Sequence, residues 1–147
     1  MPHRQVTTYQ TVILQARAFR KVRKFMVVAL SPYNITITEW LIIGTTIDAG
    51  PTGIRISELA KTLDVEMPVV TNLVHKATNT HWLRRIEDPH DKRARRVVMT
   101  HAGLERACSI EGDIKKATSP WLSDIPASEL TGFYRVIAAL SEISLPD

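Results

Sequence analysis

Residues 55–100 read RISELAKTLDVEMPVVTNLVHKATNTHWLRRIEDPHDKRARRVVMT. The first part predicts two short helices joined by a tight break. Ser57 is a good N-cap for a helix over 58–63, and Pro68 suits the first turn of a second helix over 68–79, where a missing N–H is harmless. Three residues between them are spaced as a close helix crossing requires. Ala60 is small where two backbones approach. Asp64 tolerates a left-handed turn better than most non-glycines. Val70 brings apolar bulk back onto the first helix. Many helical hairpins satisfy this spacing, so alone it is a weak signal.

The second part strengthens it. Residues 83–87 and 95–100 read as strands around the turn Asp88-Pro89-His90-Asp91-Lys92-Arg93-Ala94, predicting a hairpin directly after the second helix. A helix-turn-helix followed by such a wing is a winged helix. The wing tip carries Lys92 and Arg93, and Arg95 and Arg96 open the second strand. Cations on a thin hairpin match the negative potential of a narrow DNA minor groove. Thr71, Asn72, His75 and Lys76 on the preceding helix are the kinds of side chain that read base edges and phosphates in a major groove.

Outward from this segment the chain is helical. Ile13, Ala16, Phe19, Val22, Met26 and Ala29 recur at three- and four-residue steps and predict a helix over 8–30, ended by Ser31-Pro32. Thr36 and Glu39 form a capping box for the next helix, with Trp40, Leu41, Ile43 and Ile47 as its apolar stripe and Gly50–Gly53 as its stop. Thr100 caps a further helix, on which Leu104, Ala107, Cys108, Ile114 and Ala117 share a face. Pro120 and Pro126 flank a break near Trp121. The last helix covers 127–143, with Leu130, Phe133, Ile137 and Leu140 on its apolar side. The expected fold is mainly α with a small β-hairpin: a winged helix-turn-helix over 36–100, flanked by helices over 1–35 and 101–147 that dimerise, all in one continuous domain.

Composition sets the outer bounds. The chain has 147 residues, 44% hydrophobic and 23% charged, which is ordinary for one globular domain. No run approaches the roughly 20 apolar residues of a membrane helix, and the N-terminus lacks an apolar signal core, so a cytoplasmic location is expected. The net charge is +4 and unevenly placed. Residues 1–38 hold six basic groups, Arg4 among them, and no acid; residues 84–106 hold seven basic and four acidic; residues 107–147 are net acidic. The pattern suits an anionic partner met by part of the surface. It equally suits solvated helix faces, or a basic N-terminal helix facing the acidic C-terminal segment across a dimer interface.

Several motifs together resemble the multiple antibiotic resistance regulator (MarR) family. They are Thr36–Trp40, Arg55–Ala60, Val70–Val74, and the wing signature Asp91-Lys92-Arg93 followed by Val97, Met99, Thr100 and Gly103. The resemblance implies a homodimeric repressor on a pseudo-palindromic operator in double-stranded DNA. By position it places Pro68, Val69, Thr71, Asn72, His75 and Lys76 at the major groove, with Ser57 beside them. It places Lys92, Arg93 and Arg95 on the wing, with Arg93 in the minor groove, and it has Asp91 orient the wing through a charge-assisted bond to an arginine. It also implies release by a small aromatic or phenolic acid, for which Arg17, Lys21, Phe25, Tyr33 and Trp40 are candidate contacts; core packing explains Phe25 and Trp40 equally well, and a wet helix face explains Arg17 and Lys21. Three positions depart from the pattern: Asn72 replaces a common arginine, His81 a usual glycine and Ala77 a common leucine.

Other functions find less support. Cys108, the single cysteine, excludes an internal disulfide, and its apolar neighbours predict a buried inert thiol in place of a redox sensor. The five histidines lack metal-ligand spacing, so no metal is expected, although a metal-responsive regulator remains an alternative on this fold. No phosphate loop or nucleophile motif suggests an enzyme or a cofactor. A winged helix that only binds protein would not need the clustered wing cations.

Overall fold

The computed structural model describes residues 8–145. Arg4, counted above in the N-terminal basic group, lies outside them. The order is α1 (Thr8–Leu30), a 3-10 turn (Ser31–Tyr33), α2 (Ile37–Ala49), a second 3-10 turn (Gly50–Thr52), β1 (Ile54–Arg55), α3 (Ile56–Leu63), α4 (Met67–Asn79), β2 (Leu83–Glu87), β3 (Arg95–Met99), α5 (His101–Leu122) and α6 (Ala127–Ser141). The chain divides into two compact units between Ile110 and Glu111. Among the described residues no single helix is long and apolar enough to cross a membrane.

The expected capping box starts α2. The Thr36 N–H donates to Glu39 Oε2 at 2.7 Å, and the Glu39 N–H donates to Thr36 Oγ1 at 3.2 Å. The buried face of α2 differs from the predicted stripe. Ile42, Ile43 and Thr46 are buried and Leu41 is exposed, because the core meets a strip rotated from the one the spacing suggested. Thr46 is accommodated by donating its hydroxyl to the Ile42 carbonyl at 2.7 Å.

The hairpin is as expected, but the sheet has a third strand. The order is β1-β3-β2, antiparallel throughout, with Ile54 opposite Val97 and Leu83 opposite Met99. Two residues are too few to show strand alternation, so β1 had no sequence signal. Gly53 allows it: φ is +69°, and a Cβ there would stand 2.5 Å from the Val97 carbonyl oxygen.

Ser57 is not the cap of α3. Arg55 holds that position, and its N–H donates to the Glu58 carboxylate at 3.1 Å. The helix starts earlier than expected because Glu58, three residues beyond Arg55, already supplies the acceptor. Leu59 and Ala60 of α3 pack with Val70, Val74 and Ala77 of α4, all buried. Full burial of each Leu or Val is worth about 1.5–3 kcal/mol. Asp64 adopts the expected left-handed turn, φ 51°, while the Val65 N–H closes on the Ala60 carbonyl at 3.0 Å.

His81, standing where glycine is usual, also has positive φ, 60°. Thr100 secures this corner by donating its hydroxyl to the His81 carbonyl at 2.6 Å and accepting the Gly103 N–H at 2.9 Å, the cap expected for α5. Gly103 lies against the Trp82 backbone, 2.3 Å from where a Cβ would sit. The buried face of α5 is Gly103, Ala107 and Ile110. Leu104 and Cys108, expected on that face, are exposed, so the predicted buried thiol is corrected to an exposed one. The need for a glycine against Trp82 sets the rotation of the helix. Pro120 lies inside α5, and the break falls at 123–126. In the second unit α6 has no buried residue; Leu130 is half-buried and Phe133, Tyr134 and Val136 are exposed.

Candidate nucleic-acid interface

The two faces of α4 are cleanly separated. Val70, Val74 and Ala77 point into the core, while Pro68, Val69, Thr71, Asn72 and His75 are exposed. Asn79 and His75, one turn apart, approach to 3.4 Å. Ser57, near the start of α3, is exposed as well.

Two contacts hold the C-terminal end of α4. Arg106 of α5 lies 3.9 Å from the Trp82 ring centroid and donates to the Thr80 carbonyl at 2.9 Å, so a cation closes the negative end of the helix. Lys76, expected at the major groove, has its Nζ 2.7 Å from Glu39 Oε1 on α2. Burial pushes the Glu39 carboxyl up, but Lys76 and the N–H and hydroxyl of Thr36 together outweigh it and hold the group below its ordinary value.

The wing is built on Asp88, which the sequence reading did not single out. Its side chain is inaccessible to solvent. Oδ2 accepts Arg55 Nε and Arg96 Nε, each at 2.7 Å. Oδ1 accepts the N–H groups of His90 at 2.9 Å and Asp91 at 3.0 Å. One carboxylate thus joins the start of α3, the far strand of the hairpin and the wing loop. The Arg55 and Arg96 guanidiniums, then the His90 N–H, hold its carboxyl well below the usual carboxylate range, and Asp88 in turn raises Arg55. The only available sequence signal was an acid at the exit of a strand whose partner strand begins with arginines.

Asp91 does shape the loop, but not through an arginine side chain. Its Oδ1 accepts the Arg93 backbone N–H at 2.9 Å, and its carbonyl accepts the Ala94 N–H at 3.0 Å. The charge-assisted bonds expected of Asp91 belong to Asp88, which lies at the base of the loop within reach of both arginines. Arg96 is likewise reassigned from the cationic finger, since its Nη1 donates to the carbonyls of Gly53 at 2.9 Å and Thr52 at 3.2 Å. Lys92, Arg93 and Arg95 are exposed, and their side chains have no hydrogen bond or ion pair among the described residues.

The five effector candidates are not gathered in one cavity. Tyr33 borders a cavity of about 140 Å³ together with Ile35, Glu39, Lys76, Trp82 and Arg106, and the other four do not line it. Arg17 and Lys21 are exposed on α1, while Phe25 and Trp40 are half-buried. Among the described residues no three His, Cys, Asp or Glu side chains could hold a metal ion together.

Comparison with known proteins agrees with this architecture. The family model described as "MarR family" matches residues 33–94, from the α1–α2 turn to the wing tip. The chain is similar to the "Uncharacterized HTH-type transcriptional regulator YhbI" of Bacillus subtilis (strain 168), 26% identical over 103 residues. That match covers 69% of this chain and 66% of the relative, just under two thirds of its length. Among solved structures, CouR from Rhodococcus jostii RHA1 bound to p-coumaroyl-CoA superposes with a TM-score of 0.81 at 15% identity, over 97% of this chain and 99% of that one. A point mutant of S. aureus MepR bound to an oligodeoxyribonucleotide superposes with a TM-score of 0.63 at 17% identity, over 92% and 96%. Residues 33–94 of the chain are thus similar to the MarR family, and the chain shares the winged helix-turn-helix fold of these solved structures.

Proposed function

We propose that the protein binds a pseudo-palindromic operator in double-stranded DNA as a homodimer and acts in the cytoplasm as a repressor. The observation that carries the DNA part is the division of labour in the wing. Asp88 consumes Arg55 and Arg96 to fix the hairpin, and Lys92, Arg93 and Arg95 are left on it without a partner among the described residues. In this reading Pro68, Val69, Thr71, Asn72 and His75 face the major groove, with Ser57 beside them. Asn72 is suited to adenine, and Arg93 enters the minor groove. Dimerisation through the terminal helices is supported within each unit by apolar side chains left open to water: Ile13, Phe19 and Val22 on α1, and Phe133, Tyr134 and Val136 on α6.

Selection from a random duplex library, followed by fluorescence anisotropy on the selected site, tests the reading. At fixed salt Arg93→Ala is expected to weaken binding at least tenfold. Unchanged affinity would remove the wing from the interface, and failure to select any sequence would remove operator recognition.

Relief by a small aromatic or phenolic acid is the finer part of the proposal. It is supported by the p-coumaroyl-CoA in CouR and by the Tyr33 and Trp82 rings on the cavity beside α4. Such an acid is expected to lower affinity for the selected site.

A further inference from the structure

Lys76 is the only lysine or arginine on α4, and it stands on the exposed side, one turn beyond Asn72. Its ammonium is nevertheless drawn back to α2, 2.7 Å from Glu39 Oε1. The Glu39 side chain is 6% exposed, against 48% for Lys76. Its second oxygen accepts the Thr36 N–H. Without Lys76, a carboxylate largely removed from water would keep only the neutral groups of Thr36 as partners, an unfavourable state for a charge. Nothing comparable binds Lys76 to its own helix. The pair is therefore held from the Glu39 side.

We infer that Glu39 withholds Lys76 from DNA, so that the recognition helix meets the groove without a lysine or arginine charge and phosphate attraction falls to the wing. This rests on the DNA-binding reading above. The chemistry follows from what each charge does. A lysine on a phosphate adds affinity for every duplex alike and carries no sequence information. Pairing that lysine internally removes the sequence-independent contribution and leaves Thr71, Asn72 and His75 to discriminate bases. Glu39 is thus a positioning residue: it touches no DNA and acts through Lys76.

The test uses the full chain and a 30-base-pair duplex of arbitrary sequence, titrated between 50 and 200 mM salt, with Glu39→Gln, Lys76→Gln, the double variant and Arg93→Ala. Glutamine at the third helical position still completes a capping box, so Glu39→Gln removes the charge and keeps the cap. It is expected to bind more tightly than wild type. Its plot of log affinity against log salt should steepen by about 0.9 for one new phosphate contact, making the gain about 3.5-fold larger at 50 mM than at 200 mM. Lys76→Gln alone should match wild type in slope, and the double variant should lose the gain. Lys76→Gln leaves the α2 cap untouched, so it reads the inference even if Glu39→Gln folds poorly.

Three results would overturn the inference: wild-type slope in Glu39→Gln, a gain that survives in the double variant, or a slope lowered by about 0.9 in Lys76→Gln alone. Failure of the underlying reading looks different, because wild type and Arg93→Ala would then both leave the duplex unbound.

Discussion

Arg95 and Arg96 are neighbours in β3 with the same side chain, and they are expected to fail in opposite ways when truncated. Strand alternation sends them to opposite faces. Arg96 is 19% exposed and makes three hydrogen bonds, to Asp88, Gly53 and Thr52. A hydrogen bond to a charged group contributes about 1.5–3 kcal/mol net and a weaker, longer one about 0.5–1.5. These bonds share one side chain near the surface, so Arg96→Ala should destabilise by about 2–4 kcal/mol in all, not by their full sum. At about 2–4 °C per kcal/mol for a chain of this size, the melting temperature should fall by about 5–15 °C. Arg95 has no side-chain partner among the described residues, and Arg95→Ala should stay within about 0.5 kcal/mol of wild type while weakening DNA binding. Arg96→Lys should fall between, since a single ammonium cannot serve the carboxylate and the two carbonyls together. Circular-dichroism melts at one protein concentration, paired with anisotropy on a duplex, read both effects. An Arg96→Ala melt within 2 °C of wild type, or equal melts for the two alanine variants, would refute the assignment of Arg96 to the wing anchor.

Two further predictions concern the corners that set the wing. His81 has φ 60°, so His81→Gly should be more stable than His81→Ala by about 1 kcal/mol in urea unfolding; equal midpoints would mean the left-handed corner costs nothing. The Asp88 carboxyl is held below its unfolded value of about 3.9, so its contribution is present above that pH and is lost as pH falls through the folded value. The side-chain carboxyl carbon resonance of Asp88 should stay constant from pH 7 to about 5 and move only well below pH 4. A midpoint near 4 would contradict the clamp.

Most of the architecture was legible because it rests on local chemistry. The Thr36–Glu39 box, the turn at Asp64, Pro68 in the first turn of α4 and the cap at Thr100 each involve residues within a few positions of one another. Periodicity located α1 over its full length and separated the inner from the outer face of α4. It failed where the core chose among neighbouring strips of an apolar helix. Leu41 against Ile42 and Cys108 against Ala107 differ by one position, or about 100° of rotation, and that choice belongs to whatever packs on the helix.

What the sequence by itself determined is the winged helix-turn-helix, the exposed face of its second helix and the cationic hairpin, since those follow from spacing, turn residues and strand alternation. Only the tertiary structure decided which charges remain for a partner. Asp88 and Arg55 are 33 positions apart, and Lys76 and Glu39 are far apart on separate helices. A one-dimensional pattern shows that such residues are charged but not that they meet. Coulomb and hydrogen-bond energies depend on distances of a few ångströms, which the fold alone sets. Of four cations at the wing, the fold binds Arg96 internally and leaves Lys92, Arg93 and Arg95 outward, and it turns the lysine of α4 back toward α2.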